Sequence, residues 1–522
     1  MSWLPEIEEI HRRRKLAEAC GGEAAVARHH AAGKLTVRER IAALLDPQSF
    51  REVGKLAGKG QYDAKGNLVG FEPASYVMGI GNIDGRAVAI GGEDYTIRAG
   101  TGFGSDRRKG GQGGFIEDLA HSYRIPLINL VDGTGGTVNT AKRKGYTVVP
   151  GYGQDGIERS VELLGMVPVV SAVMGTTAGG PSMRAILSHW SVMVKGSGQI
   201  FAAGPPVVER AFGQKLTKDE LGGTKVAVDT AGTIDNLAED EADCMNQIKR
   251  FLSYMPQNVW QLPPVVNCDD PVDRCEDQLA HIVPRASRQA YNMKKLIALI
   301  VDRESMFEIQ PTFGRAVITT LARMNGKVIG IVASNPMVGG IIDSKAARKQ
   351  GHFVELCDMF NIPIVMLADV PGLLVGVESE SAAILREGVR ARYIGFQVNV
   401  PVFSVIIRKC YGVAGGGFID RGGLNFRIAW PSAEWGSLPV EGGVKAAYRR
   451  EIESAPDPAQ REKEIEAELR QLASPFRTAE AFAVEDLIDP RETRPYLCQF
   501  IDAAQGRLRS QLGLKYKTGV RP

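Results

Sequence analysis

Short apolar runs broken by turn residues dominate the chain, and their order predicts the elements. The opening segment Pro5–Cys20 reads as a helix, and Gly21-Gly22 ends it. Thr36-Val-Arg-Glu39 has the form of a capping box, starting a second helix with Ile41, Leu44 and Leu45 on one face. Ser75–Ile83 and Arg86–Ile90 read as two strands joined at Asp84-Gly85. Beyond them strands and helices alternate: strand Leu127–Val131, helix Gly156–Leu164, strand Val167–Met174, helix Ser182–Trp190. Alternation of this kind predicts an α/β layered architecture.

The pattern then repeats. Prolines cluster at 256, 263, 264 and 271 around Cys268-Asp-Asp, which marks a linker. After it, Asp302 and Ser305 stand where Asp46 and Ser49 stood, and Asn325-Gly326-Lys327 matches Asp84-Gly85-Arg86. Asn361-Ile-Pro-Ile-Val-Met-Leu-Ala-Asp369 matches Arg124-Ile-Pro-Leu-Ile-Asn-Leu-Val-Asp132, and Val400-Pro-Val-Phe-Ser matches Val167-Pro-Val-Val-Ser. The separation shrinks steadily, from 256 residues to 241, 237 and 233. Small differences in loop length do this, and chance likeness between buried strands does not. Two homologous α/β halves are therefore expected, residues 1–260 and 275–522.

Composition narrows the function. The 63 basic and 60 acidic side chains leave a net charge of +3, too balanced for nucleic acid as the main partner. No apolar run approaches the ~18–20 residues of a membrane span. The acidic N-terminus lacks the form of a signal or transit peptide, so a cytoplasmic protein is expected. The seven cysteines form no CxxC pair and the seven histidines no ligand spacing, so no metal is expected. Glycine is in excess, 60 of 522 against a usual ~7%, which points to tight turns and close backbone approach.

Two glycine-rich turns carry candidate chemistry. Gly175-Thr-Thr-Ala-Gly-Gly-Pro-Ser-Met-Arg184 and Gly412-Val-Ala-Gly-Gly-Gly-Phe-Ile-Asp420 each follow a buried strand and precede a helix. Successive N–H groups at such a turn can converge on an anion such as a thioester enolate. Close packing of helix on strand also needs glycine, but occurrence at equivalent points of both halves favours two related anion sites. Gly151-Tyr-Gly-Gln-Asp-Gly156 satisfies GxGxxG, yet no Asp or Glu follows between Leu163 and Val208 to hold a ribose. It reads as a turn. Arg107, Arg108 and Lys109, and Lys142 with Arg143 and Lys144, could meet the phosphates of coenzyme A; solvated loop charge explains them equally well.

At these residues the chain resembles the carboxyltransferase (β) subunits of biotin-dependent acyl-CoA carboxylases, of the propionyl-CoA and methylcrotonyl-CoA carboxylase type. The resemblance covers nearly the whole chain. It rests on Gly33-Lys-Leu-Thr-Val-Arg-Glu-Arg, Ala203-Gly-Pro-Pro-Val-Val, Glu220-Leu-Gly-Gly-Thr, Phe353–Pro363, Asp369-Val-Pro-Gly, Arg408-Lys, Ala429-Trp-Pro-Ser-Ala-Glu434 and Asp489-Pro-Arg-Glu-Thr-Arg494. It implies two tandem crotonase-like spiral domains. The first would bind the acyl-CoA and the second carboxybiotin, with the active site shared between subunits of a β6 core in an α6β6 assembly.

In that family carboxybiotin releases CO2, the biotin anion removes the α-proton, and the enolate attacks CO2. Mapped by motif, Gly179 and Gly180 would hold the enolate oxygen. Val413 and Ala414, anchored on Arg408-Lys409, would hold the biotin oxygen; the internal repeat allows Gly415 and Gly416 instead. No Met-Lys-Met attachment site and no ATP-binding domain is present, so biotin must come from a biotin carboxylase/carrier α subunit. The family's Ser-Gly-Gly-Ala-Arg reads Gly133-Thr-Gly-Gly-Thr here, its Asp after Gly-Ala-Tyr falls at Gly416, and its Met-Gly after Ala-Glu falls at Leu438-Pro439. The histidines that follow Glu-Leu-Gly-Gly are absent. The chain is a divergent member on this reading. The same residues would serve an acyl-CoA decarboxylase subunit working with a membrane pump, or a catalytically silent scaffold subunit.

Overall fold

The computed structural model describes residues 2–101, 115–135, 145–147, 155–419 and 426–515. The chain divides into two compact units, the first built mainly from residues 1–261 and the second from residues 262–512. The first unit holds a seven-stranded sheet ordered Arg51–Glu52, Tyr76–Ile83, Arg86–Glu93, Leu127–Val131, Val169–Val173, Trp190–Val194 and Asn236–Ala238. Its first three strands are antiparallel neighbours and the rest run parallel. The second unit repeats this order in an eight-stranded sheet, with Phe307–Ile309, Val317–Met324, Lys327–Ser334, Ile364–Val370, Val402–Tyr411, Phe426–Ala429 and Asp486–Leu487, and Glu434–Gly436 as an added strand beside Val402–Tyr411. The directions follow the same sequence.

Even the register is shared. Leu127 pairs with Val169, and their counterparts Ile364 and Val402 pair with each other. Ala89 faces Leu127 as Gly330 faces Ile364. Every residue of Leu127–Val131, Val169–Val173 and Ile364–Val370 is buried. Helices cover both faces of such parallel strands, which is why they read as unbroken apolar runs rather than alternating ones.

The matched Asp and Ser residues have one job in both units. Asp46 accepts from the N–H groups of Asp84 (3.0 Å) and Gly85 (2.9 Å), and Asp302 from Asn325 (3.0 Å) and Gly326 (2.8 Å). Ser49 Oγ accepts from Asn82 N–H and donates to Asp46 O, as Ser305 Oγ does with Arg323 and Asp302. Each hairpin turn has two residues at positive φ: Asp84 (50°) and Gly85 (75°), Asn325 (52°) and Gly326 (74°). A two-residue turn of this hand fits the strand twist, and the carboxylate satisfies the N–H groups it leaves open.

One predicted element is corrected. The helix expected over Ser182–Trp190 runs instead from Gly180 to Ile186, and Trp190 begins a strand paired with Val170. Pro181, in the first turn, lets the helix start two residues early. His189 N–H then donates to Val169 O at 2.8 Å, which pulls the chain into the sheet, and Trp190 stacks on Phe251 at 5.0 Å.

Lys349 stands out in the second unit. Its side chain is 1% exposed, and Nζ donates to the carbonyls of Gln310 (2.7 Å) and Phe313 (3.2 Å). Burial pushes the amine down to about 7, with Glu308 opposing and Lys294 assisting. The unfolded chain therefore binds a proton that the folded chain lacks between about pH 7 and the ordinary lysine value of ~10.4. Stability should rise with pH across that window. In Lys349→Met, urea denaturation should show this rise flattened; an unchanged slope would assign it to other groups.

Candidate active site

The first glycine-rich turn leaves the sheet where Val169–Val173 ends. Ala178 N–H donates to Gly133 O at 3.1 Å, joining this turn to the one after Leu127–Val131. A Cβ on Gly135 would stand 2.7 Å from Ala178 O, so the two backbones touch and only glycine fits. Gly179 adopts φ 66°, ψ −128°, a region reserved for glycine, and the helix Gly180–Ile186 starts directly after it. Gly179 is exposed and Gly180 half-buried. The first N–H groups of a helix have no acceptor within it, and the helix dipole makes them favour an anion.

The second unit places a matching turn after Val402–Tyr411. Gly412 has φ 58°, and a helix runs from Gly412 to Ile419. Ser171 Oγ donates to Arg184 O in the first unit (3.4 Å), and Ser404 Oγ to Phe418 O in the second (3.0 Å). These ties place the helix alike in each unit, so that Gly412 and Val413 occupy positions equivalent to Gly179 and Gly180. Val413 is 66% exposed, while Ala414 is buried behind it. Gly415 is explained by packing: a Cβ there would stand 2.7 Å from the carbonyl carbon of Cys410. Gly416 is half-buried one residue further into the helix.

Behind each turn lies a buried aspartate that ends the preceding strand. Asp132 receives Lys34 Nζ (2.5 Å) and Arg40 Nη1 (3.1 Å), and Arg40 also pairs with Glu241. Arg40 Nη2 reaches Met174 O at 3.4 Å, at the root of the first turn. A Cβ on Gly175 would overlap the Asp132 carboxylate, so the turn can begin only with glycine. Burial pushes the Lys34 amine below its ordinary value, with Asp132 opposing. In the second unit Asp369 holds Arg408 through Nε (3.1 Å) and Nη2 (3.0 Å) and accepts from Lys409 N–H (3.1 Å). The carboxylate is repeated, but the cation comes from different elements.

In the sequence both aspartates end segments matched by the repeat, and Arg40 and Lys34 lie inside a motif, but neither pattern assigns them a role. The signal was the repeat itself. The cations Arg107, Arg108, Lys109 and Lys142 lie outside the described residues, as does most of Gly151–Gly156. A cavity of about 680 Å³ beside the first turn is lined by Arg28, Lys34, Tyr95, Thr176, Lys195 and Lys218 among others. Of its cations, Lys34 and Lys195 are already paired, with Asp132 and Glu239. Among the described residues no group of His, Cys, Asp and Glu could hold a metal ion, and no helix is long and apolar enough to cross a membrane.

Two matching α/β units, each with a glycine-rich turn at the equivalent place, define a tandem crotonase-like protein. Residues 28–516 match the carboxyl transferase domain, and the chain belongs to that family. It is a carboxyltransferase of the biotin-dependent acyl-CoA carboxylase type, moving a carboxyl group between biotin and an acyl-CoA. It is 32% identical to a propionyl-CoA carboxylase carboxyltransferase subunit of Haloferax mediterranei, over 99% of each chain. It is 30% identical to methylmalonyl-CoA decarboxylase subunit alpha of Propionigenium modestum, over 96% of each. Among solved structures it is similar to transcarboxylase 12S, a hexamer described with methylmalonyl-coenzyme A and methylmalonic acid bound. That likeness has TM-score 0.88 and 31% identity, covering 99% of this chain and 98% of the other.

Proposed function

We propose that this chain carboxylates a short or medium acyl-CoA at its α- or vinylogous carbon. It would do so in the cytoplasm, as the β6 core of an α6β6 assembly whose α subunit carries biotin. The carrying observation is the pair of open helix-start turns at equivalent points of the two units, one at Gly179 and Gly180 and one at Gly412–Ala414. The first unit is assigned the acyl-CoA and the second carboxybiotin. The exposed turn at Val413 leaves room for a ring carried in from another chain. Carboxybiotin, when bound, supplies the carboxyl group and a base for the α-proton.

The chain's own part is electrostatic. Gly179 and Gly180 N–H hold the thioester oxygen as charge develops on it, and Val413 and Ala414 N–H hold the ureido oxygen. The phosphates of coenzyme A are assigned to Arg107, Arg108, Lys109 and Lys142. The test is ATP- and bicarbonate-dependent carboxylation of a panel of acyl-CoAs by the purified α and β pair. No turnover, with biotin loading confirmed, overturns the reading and leaves a scaffold role.

The similarity to a decarboxylase subunit supports a second reading, the same turns running the chemistry in reverse. Release of CO2 from a carboxyacyl-CoA without ATP, together with a membrane decarboxylase gene beside this one, would favour it. The assembly has its own prediction. Light scattering on the isolated chain should give a hexamer mass; a monomer that still turns over contradicts it.

A further inference from the structure

The two units differ in one respect that their shared fold does not require. At the end of the second hairpin strand, Ser334 Oγ accepts from Asp369 N–H at 2.6 Å and donates to Leu367 O. The equivalent residue in the first unit is Glu93, whose Oε2 accepts from Asp132 N–H at 3.3 Å. A neutral serine therefore suffices for this link. Yet Glu93 is a fully buried carboxylate, and Arg184 pairs with its other oxygen. Arg184 projects from the helix Gly180–Ile186 and also donates to Tyr76 Oη. The second-unit helix has no such arginine; at that place Gln350 Nε2 donates to Gly417 O at 3.1 Å.

Glu93 lies under the meeting point of three turns. A Cβ on Gly133 would stand 2.7 Å from its Cγ, and one on Gly100 3.0 Å from its Cβ. Its carboxylate thus binds the turn after Leu127–Val131 through Asp132 N–H, and the helix behind Gly179 and Gly180 through Arg184. Tyr76, Glu117 and Asp132 are the other groups facing the pair, with Asp118 on the same helix as Glu117. Burial holds the Glu93 and Glu117 carboxyls above their ordinary values, with Arg184 pulling both down.

We propose that Glu93 and Arg184 are positioning residues for carboxyl transfer: their buried pair fixes the Gly179–Gly180 N–H groups against the neighbouring turn. The inference rests on the carboxyltransferase reading and adds to it the residues that preorganise the first anion site. Preorganised donors act only while they stay aimed at the developing oxyanion, so loosening their support should lower kcat more than it raises KM.

The experiment uses the assembled enzyme with its α subunit and compares Glu93→Gln, Arg184→Lys and the double variant Glu93→Gln/Arg184→Met. Glutamine still accepts from Asp132 N–H, and the double variant removes both charges without stranding either. Expected are a kcat loss of about 10–100-fold in Glu93→Gln with acyl-CoA KM within about twofold, a smaller loss in Arg184→Lys, and a double variant that regains Tm but not kcat. Recovery of both Tm and kcat in the double variant would show a structural role only, and overturns the proposal. So does a fall in Tm at unchanged kcat in the single variants. If the single variants fail to fold, the double variant decides alone. Wild-type enzyme without transfer would be a failure of the carboxyltransferase reading, distinct from these.

Discussion

Gly180→Val should lower carboxyl transfer about 10²–10³-fold while the protein stays folded, the cost of one preorganised donor in an oxyanion site. The structure separates the two glycines of this turn. Gly179 has φ 66°, so any side chain there strains the backbone by roughly 1–3 kcal/mol and confuses stability with chemistry. Gly180 does not adopt a positive φ and opens the helix with Pro181 behind it. Valine there carries no helix-propensity cost, because glycine ranks below it. Its methyl groups would then contend for the space where the thioester oxygen must sit. Specific activity and melting temperature should be measured on one preparation. A lower melting temperature with activity intact would make Gly180 a packing residue and remove most of the support for Gly179. Gly415→Ala supplies the opposite control in the second unit, since the Cys410 backbone occupies the space its Cβ needs. Stability should fall there first.

The architecture was legible because the repeat was legible. Asp46 and Asp302, matched by the likeness of the segments that carry them, satisfy the equivalent two N–H groups of the equivalent turn. A chain can keep such a pair only by keeping the hairpin that needs it. The start of the helix after Gly175 was not legible, because Gly-Gly-Pro reads as a breaker unless the sheet beyond it is known to recruit Trp190. The turns themselves were found from glycine spacing. Their supports were not, since Asp132 with Lys34 and Arg40, and Glu93 with Arg184, come from separate parts of the sequence. Charged residues far apart in a chain carry no mark that they will be buried together. A buried charge must be paired or neutralised, so such pairs can be read only once the fold is in hand.

The largest stability effect is expected at the end of the chain. Arg494, with a side chain 0% exposed, opens the helix Thr493–Ser510 and reaches three other segments. Its Nη2 meets Asp302 Oδ1 at 2.8 Å, its Nε donates to Pro271 O at 2.8 Å, and its Nη1 donates to Ile300 O at 3.1 Å. It therefore joins the last helix to the segment that opens the second unit and to the carboxylate that closes the hairpin turn. Arg494→Ala strands these acceptors in a dry interior, and breaking one such buried pair costs about 3–5 kcal/mol. Asp46→Asn, in the first unit, disturbs a turn held by N–H groups alone and should cost about 0.5–1.5 kcal/mol. Burial alone would raise the Asp302 pKa, but the N–H groups of Gly326 and Asn325 and the Arg494 guanidinium hold it below its ordinary value. Its contribution is present above the ordinary carboxylate pKa and is lost as pH falls through the depressed one. The difference between wild type and Arg494→Ala should accordingly be full at pH 7 and narrow in acid. Hydrogen exchange at the Asn325 and Gly326 amides, compared with Asp84 and Gly85, reads the effect in each unit separately. Equal loss of protection in both hairpins would mean that Arg494 supports the whole chain rather than the second unit.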